Sequence, residues 1–122
     1  MTARARDRGQ AAVEFAIALP LVLMLVLAIV HVVLVVRDQL AVELAARDGA
    51  RAAAVAAAPQ TAARRAANES VRLRPITVTA TMSRDRVTVE VRHRSDPRVP
   101  ILGAFLSSTE LRAEVIMVRE PP

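Results

Sequence analysis

Apolar residues follow three different rhythms along the chain. From Phe15 to Val36 the sequence FAIALPLVLMLVLAIVHVVLVV runs for 22 residues without a formal charge. As a helix rising about 1.5 Å per residue, it is long enough to cross roughly 30 Å of hydrocarbon. Each Leu, Ile, Val or Phe gains about 0.3–0.6 kcal/mol on insertion. The sixteen such residues here outweigh the cost of Pro20 and His31. The apolar core of a secretory signal is shorter, about 7–15 residues, and ends at a small-residue cleavage site. Arg37-Asp38 follows this run instead. The pattern therefore predicts one membrane-spanning helix.

Beyond Val36 the chain reads RDQLAVELAARDGARAAAVAAA to Ala58, rich in strong helix formers, with Glu43 and Arg47 spaced as an i, i+4 ion pair. The membrane helix is expected to continue outward, giving one transmembrane and extended helical unit over residues 10–58. Leu40 and Leu44 share a face, while Ala41, Ala45, Ala46, Gly49, Ala50 and Ala53 keep much of the surface small. Such a surface suits close helix-to-helix approach, as in the bundled core of a filament. It equally suits an ordinary Ala-rich helix in a chain with biased composition. Pro59 disfavours helical geometry at Ala58, which predicts a break and then a short helix from about Thr61 to Arg72, ended by Arg74-Pro75.

From Ile76 the period drops to two. Ile76, Val78, Ala80 and Met82 alternate with threonines, and Val87, Val89 and Val91 resume the alternation after Ser83-Arg84-Asp85-Arg86. A hairpin with that four-residue connection sets Met82 opposite Val87, Ala80 opposite Val89 and Val78 opposite Val91, so the apolar faces coincide. After a loop containing Pro97 and Pro100, Leu111, Ala113, Val115 and Met117 predict a third strand. The expected fold class is α+β: a long N-terminal transmembrane helix extending into a small domain over residues 59–122, with a short second helix and a three-stranded antiparallel sheet.

Composition narrows the function. In 122 residues, 53% are hydrophobic but only 2% aromatic, and the net charge is +5. All seventeen basic residues are Arg, and there is no Cys, so no disulfide or thiolate metal site is available. His31 and His93 lie far apart without metal-ligand spacing, and no Gly-rich phosphate loop, paired carboxylates or nucleophile–base motif is present. The chain is therefore read as a non-enzyme without cofactor or metal. Nucleic acid is disfavoured as a partner: the arginines are scattered, often beside Asp or Glu, and Phe15 and Phe105 form no stacking platform.

Charge also orients the helix. Arg4, Arg6 and Arg8 precede the run against a single acid, Asp7, and a basic flank reads as cytoplasmic. The region after Arg37 is then extracytoplasmic, on a single-pass protein of the cytoplasmic membrane in contact with lipid. Glu14 stands at the edge of the run, where an ionisable residue by default marks function.

Taken together, Arg8-Gly9-Gln10-Ala11-Ala12-Val13-Glu14-Phe15-Ala16 resembles the processing site of type IV prepilins. In that superfamily a membrane-embedded prepilin peptidase cuts after the Gly, and the Glu becomes the fifth residue of the mature chain. The resemblance implies a cytoplasmic leader over residues 1–9, a cut between Gly9 and Gln10, and Glu14 in the assembly position. A Gly at the cut can extend in a protease cleft without a Cβ clash, and it is expected to interrupt the helix that begins downstream. The new amine of Gln10 could neutralise Glu14 of an adjacent subunit.

Within the pilins, Gly9 to Phe15, the Pro20 that follows, and Ala-Arg-Asp-Gly-Ala-Arg-Ala-Ala-Ala at 46–54 look like TadE-like minor pseudopilins of the tight-adherence, or Flp-type, system. Major pilins of that system usually carry Tyr directly after the Glu and are much shorter. Phe15 and the long segment after the helix set this chain apart from them. The implied role is a minor pilin or pseudopilin in pilus assembly and cell adhesion. Implied partners are the prepilin peptidase, other pilins and pseudopilins, and the inner-membrane assembly platform. Two other readings stand beside it: an unprocessed signal-anchored binding module, and a DNA-binding pseudopilin.

Overall fold

A computed structural model describes residues 2–119, the side chains of residues 2–6 and 8 excepted. Helix α1 runs from Thr2 to Val55 and α2 from Pro59 to Ser70. Strands β1 (Ile76–Met82), β2 (Arg86–Ser95) and β3 (Thr109–Val118) follow, with a short 3₁₀ turn, Leu102–Ala104, before the last. The fold is α+β, as the changes of period predict.

The 54 residues of α1 form one uninterrupted helix about 80 Å long. It passes straight through Gly9 and Pro20. The expectation that Gly9 interrupts the helix is therefore corrected: a single Gly costs a helix only about 1 kcal/mol, which its Ala-rich neighbours offset. Pro20 has no N–H, so the Ala16 carbonyl loses its intrahelical donor. Helix α2 starts two residues earlier than expected, because Pro59 occupies its first turn, where a missing N–H leaves nothing unpaired.

The sheet is antiparallel in the order β1-β2-β3. Its hairpin has the expected register, with Val78 opposite Val91, Ala80 opposite Val89 and Met82 opposite Val87, closed by Ser83 N–H donating to the Arg86 carbonyl at 2.9 Å. On the other side, Met117, Val115 and Ala113 face Val87, Val89 and Val91. The valines of β2 thus form the centre of one apolar face, and all three are buried.

That face packs on α1 and α2 through small residues. Ala45, Ala46, Ala50 and Ala53 of α1 and Ala63 and Ala67 of α2 are fully buried beside Val42, Val87, Val89 and Val91. At Gly49 the approach is closest: a Cβ there would lie 3.2 Å from both the Ala63 carbonyl oxygen and Val89 Cγ1. The small-residue stripe is accordingly spent inside the subunit, while Leu40 and Leu44 remain exposed.

Both helices also close the sheet's edges. Gln60 of α2 donates to the Val78 carbonyl at 3.1 Å and accepts from Ala80 N–H at 2.6 Å, and Gln39 of α1 donates to the Arg112 carbonyl at 3.2 Å. Each glutamine thereby answers outward-facing groups of an edge strand that would otherwise invite another strand.

Candidate functional site

The residues singled out in the sequence lie together on the first turns of the described part of α1. Gly9 is open, with nothing within 4 Å of where a Cβ would stand. One turn apart, Gln10 donates from Nε2 to Glu14 Oε1 at 3.4 Å, on an exposed surface. Among the described residues Gln10 is the side-chain partner of Glu14. Phe15 is two-thirds exposed, and Pro20 sits one turn further within the same helix. Arg4, Arg6 and Arg8, from which the sequence predicts the orientation, have side chains outside the described residues.

From there, α1 presents an almost wholly exposed apolar surface. Phe15, Ile17, Leu19, Leu21, Val32 and Val33 are each more than half exposed. Among the described residues α1 is the one helix long and apolar enough to cross a membrane, and its most apolar stretch is buried by nothing in the fold. An apolar cylinder of this length bared to solvent would be unstable in water, so α1 fits a single-pass membrane anchor.

A second cluster lies where α1 leaves the apolar run. Asp38 is only 4% exposed and accepts hydrogen bonds from Ser95 Oγ at 3.1 Å and from the Arg98 guanidinium. Sequence reading treats Arg37-Asp38 simply as a polar flank. Nothing local signals that Asp38 is held from some 60 residues away. His93, also buried, bonds through Nδ1 to the Pro75 carbonyl at 2.8 Å, which binds the end of β2 to the start of β1.

On the outer face of the sheet the charges form a ladder. Directly opposite pairs are like-charged, Glu90 with Glu114 and Arg92 with Arg112. Diagonal and same-strand contacts relieve this: Glu90 pairs with Arg112 at 2.7 Å and with Arg92, and Arg112 reaches Glu114 at 3.2 Å. The hydrogen bond from Arg92, followed by the Arg112 and Arg92 charges, holds the Glu90 carboxyl below its ordinary value despite partial desolvation. Among the described residues no group of three or more His, Asp or Glu side chains is placed to hold a metal ion.

The segment that carries both the N-terminal residues and the membrane run is the one that a family comparison selects. Residues 9–51 match the family of TadE-like proteins. No curated protein and no solved structure matches the chain. The TadE-like segment opens on Gly9, includes Gln10, Glu14, Phe15 and Pro20, and ends at Arg51 within α1. Asp38 and Gly49 also fall inside it, so the TadE-like part contributes to the core as well as the anchor.

Proposed function

We propose that this chain is a minor pilin or pseudopilin that takes part in assembling a tight-adherence, Flp-type pilus after prepilin-peptidase cleavage between Gly9 and Gln10. Its N-terminus is cytoplasmic and its sheet-bearing end extracytoplasmic. Residues 1–9 are a leader that is removed, residues 10–58 the anchor and its extension, and residues 59–122 the head. The observation that carries this reading is the placement of an open Gly9 and an exposed Glu14 five residues apart, at the head of the TadE-like segment and at the mouth of the apolar run.

The parts then have distinct tasks. Gly9 leaves room for the peptidase to engage the backbone, since any larger side chain would add bulk at the cut. Cleavage places a cationic amine on Gln10, one turn from Glu14. In the separate subunit Gln10 and Glu14 are neighbours; in an assembly the Gln10 amine of one subunit meets the Glu14 carboxylate of the next. A buried carboxylate left without a cation costs about 3–5 kcal/mol, which would make that contact decisive for co-assembly. Phe15 and Pro20 shape the helix surface recognised beside it. The other pilins and the inner-membrane platform are the partners.

Intact-mass measurement of the protein extracted from its native membrane is the test. The mature chain is expected to start at Gln10, and the Gly9→Val variant to retain residues 1–9 or 2–9. Glu14→Gln should be cut and inserted normally but fail to co-purify with pilins. A native protein that keeps Arg4, Arg6 and Arg8 would refute the processing and, with it, the pilin role.

A further inference from the structure

The end of the head nearest the membrane is built unlike the rest of its surface. Because α2 runs back along α1 and the strands alternate in direction, two connections meet at the level of Asp38: residues 71–75, between α2 and β1, and residues 96–108, between β2 and β3. Arg37, Asp38, Arg72 and Arg98 line one depression there, and Arg72, Arg74, Arg94 and Arg98 line the next. The level of this end is set by α1, whose contacts with the head's core reach down to Val35, inside the apolar run. The head therefore sits against the boundary of the run and does not stand off on a stalk.

The longer connection carries an apolar tip at that same end. Ile101 is 57% exposed, Phe105 81% and Leu106 39%, while Val99 is buried and fixes the base of the loop. The tip is folded: Leu102 N–H donates to the Pro100 carbonyl at 2.8 Å, Gly103 N–H to Val99 at 3.0 Å and Leu106 N–H to Leu102 at 3.0 Å. Ile101 has φ 71 and ψ −55, a γ-turn of the rare positive-φ kind, strained for a β-branched residue. A folded loop that holds a branched side chain at such an angle and bares it is unusual without a surface to receive it.

We infer that this end docks on the bilayer surface from which α1 emerges, with Ile101, Phe105 and Leu106 entering the interface and Arg37, Arg72, Arg74, Arg94 and Arg98 facing anionic lipid headgroups. Two features select lipid over another occupant. The loop that bears the apolar tip touches α1 itself through its 3₁₀ turn. Among the described residues the five arginines around it outnumber the carboxylates beside them, Asp38, Asp96 and Glu110, of which Arg98 holds Asp38 and Arg94 lies 3.8 Å from Asp96. Apolar residues at the tip with cations behind them is the pattern of an interfacial anchor. The inference rests on α1 being a membrane anchor and is independent of cleavage at Gly9.

The chain has no Trp or Tyr, so one introduced Trp reports alone. Full-length Phe105→Trp, reconstituted in vesicles of phosphatidylcholine and phosphatidylglycerol, should show blue-shifted emission quenched by lipids brominated near the headgroup end. Arg84→Trp, at the far hairpin turn, should emit as an exposed indole and remain unquenched. In the Phe105→Trp background Arg72→Gln, which breaks no hydrogen bond in the fold, should shift the docked-to-free ratio roughly five-fold toward free at low salt. Phe105→Trp emission as exposed as that of Arg84→Trp would overturn the inference. So would shielding that appears only at high protein-to-lipid ratio without bromine quenching, which would mean that a second copy covers the tip. Failure of the chain to float with the vesicles would remove the anchor on which the docking depends, and the inference with it.

Discussion

Asp38 is a carboxylate buried at the point where the helix meets the head, and two donors from the far end of β2 and the loop after it satisfy it. Its two partners are unequal, since the Arg98 side chain is about half exposed and the Asp38 side chain is almost wholly enclosed. Removing Arg98 strands a buried charge, whereas removing Asp38 leaves a guanidinium that can turn to water. Arg98→Ala is therefore expected to cost about 2–3 kcal/mol and Asp38→Ala nearer 1–2 kcal/mol, measured by urea unfolding of the detergent-solubilised chain. Equal losses would mean that the guanidinium left by Asp38→Ala gains no more from water than the carboxylate left by Arg98→Ala. The pairing itself could not be read from the sequence, because Asp38 and Arg98 lie 60 residues apart in a chain where Arg is the sole basic residue and many arginines sit beside an acid. By contrast, Gly9, Gln10, Glu14 and Phe15 stand out in the sequence because they lie within seven residues that abut the apolar run, inside the segment 9–51 that matches TadE-like proteins.

Among the elements, the hairpin was the most legible. Two alternating runs joined by four residues have one arrangement in which their apolar faces agree, and a slip of one residue would turn every valine of β2 outward. The use of the small face of α1 was less so, since Ala and Gly permit close approach without naming the partner. The partner is α2 and β2, and Gly49 is where it matters most. Gly49→Ala should change stability little, because about 1 kcal/mol of helix propensity is set against crowding of the Ala63 carbonyl. Gly49→Val should cost about 3 kcal/mol as α2 and β2 are forced apart, seen as a lowered urea midpoint with α1 still helical. The charge ladder on the opposite face makes a prediction in pH. Glu90 is held below its ordinary value of 4.5, so its contribution is fully present above that pH and is lost as pH falls through the lowered value. Glu90→Gln should therefore flatten the acid side of the stability profile below about pH 4.5, and added salt should flatten the wild-type profile in the same direction. An unchanged acid limb would show that the ladder is fully screened.

For the whole molecule, orientation is the property that most constrains function. The chain lacks Cys, so Arg84→Cys at the hairpin turn, on the exposed end of the head, gives a single reporter. A membrane-impermeant maleimide is expected to label it in intact spheroplasts at the same rate as after lysis. Labelling only after lysis would place the head in the cytoplasm and reverse the reading of the leader charges. The continuity of α1 into the core has a mechanical meaning. Val42, Ala45, Ala46, Ala50 and Ala53 belong at once to the helix that carries the anchor and to the interior of the head. The helix is unbroken between them, so a displacement applied near Gln10 is carried along α1 toward the sheet, with the hydrogen bond missing at Pro20 as a point of give on the way. Flexible residues inserted after Ala58 would leave that transmission intact. The same residues inserted between Val36 and Arg37 would let the anchor be drawn along its axis while the head stayed behind.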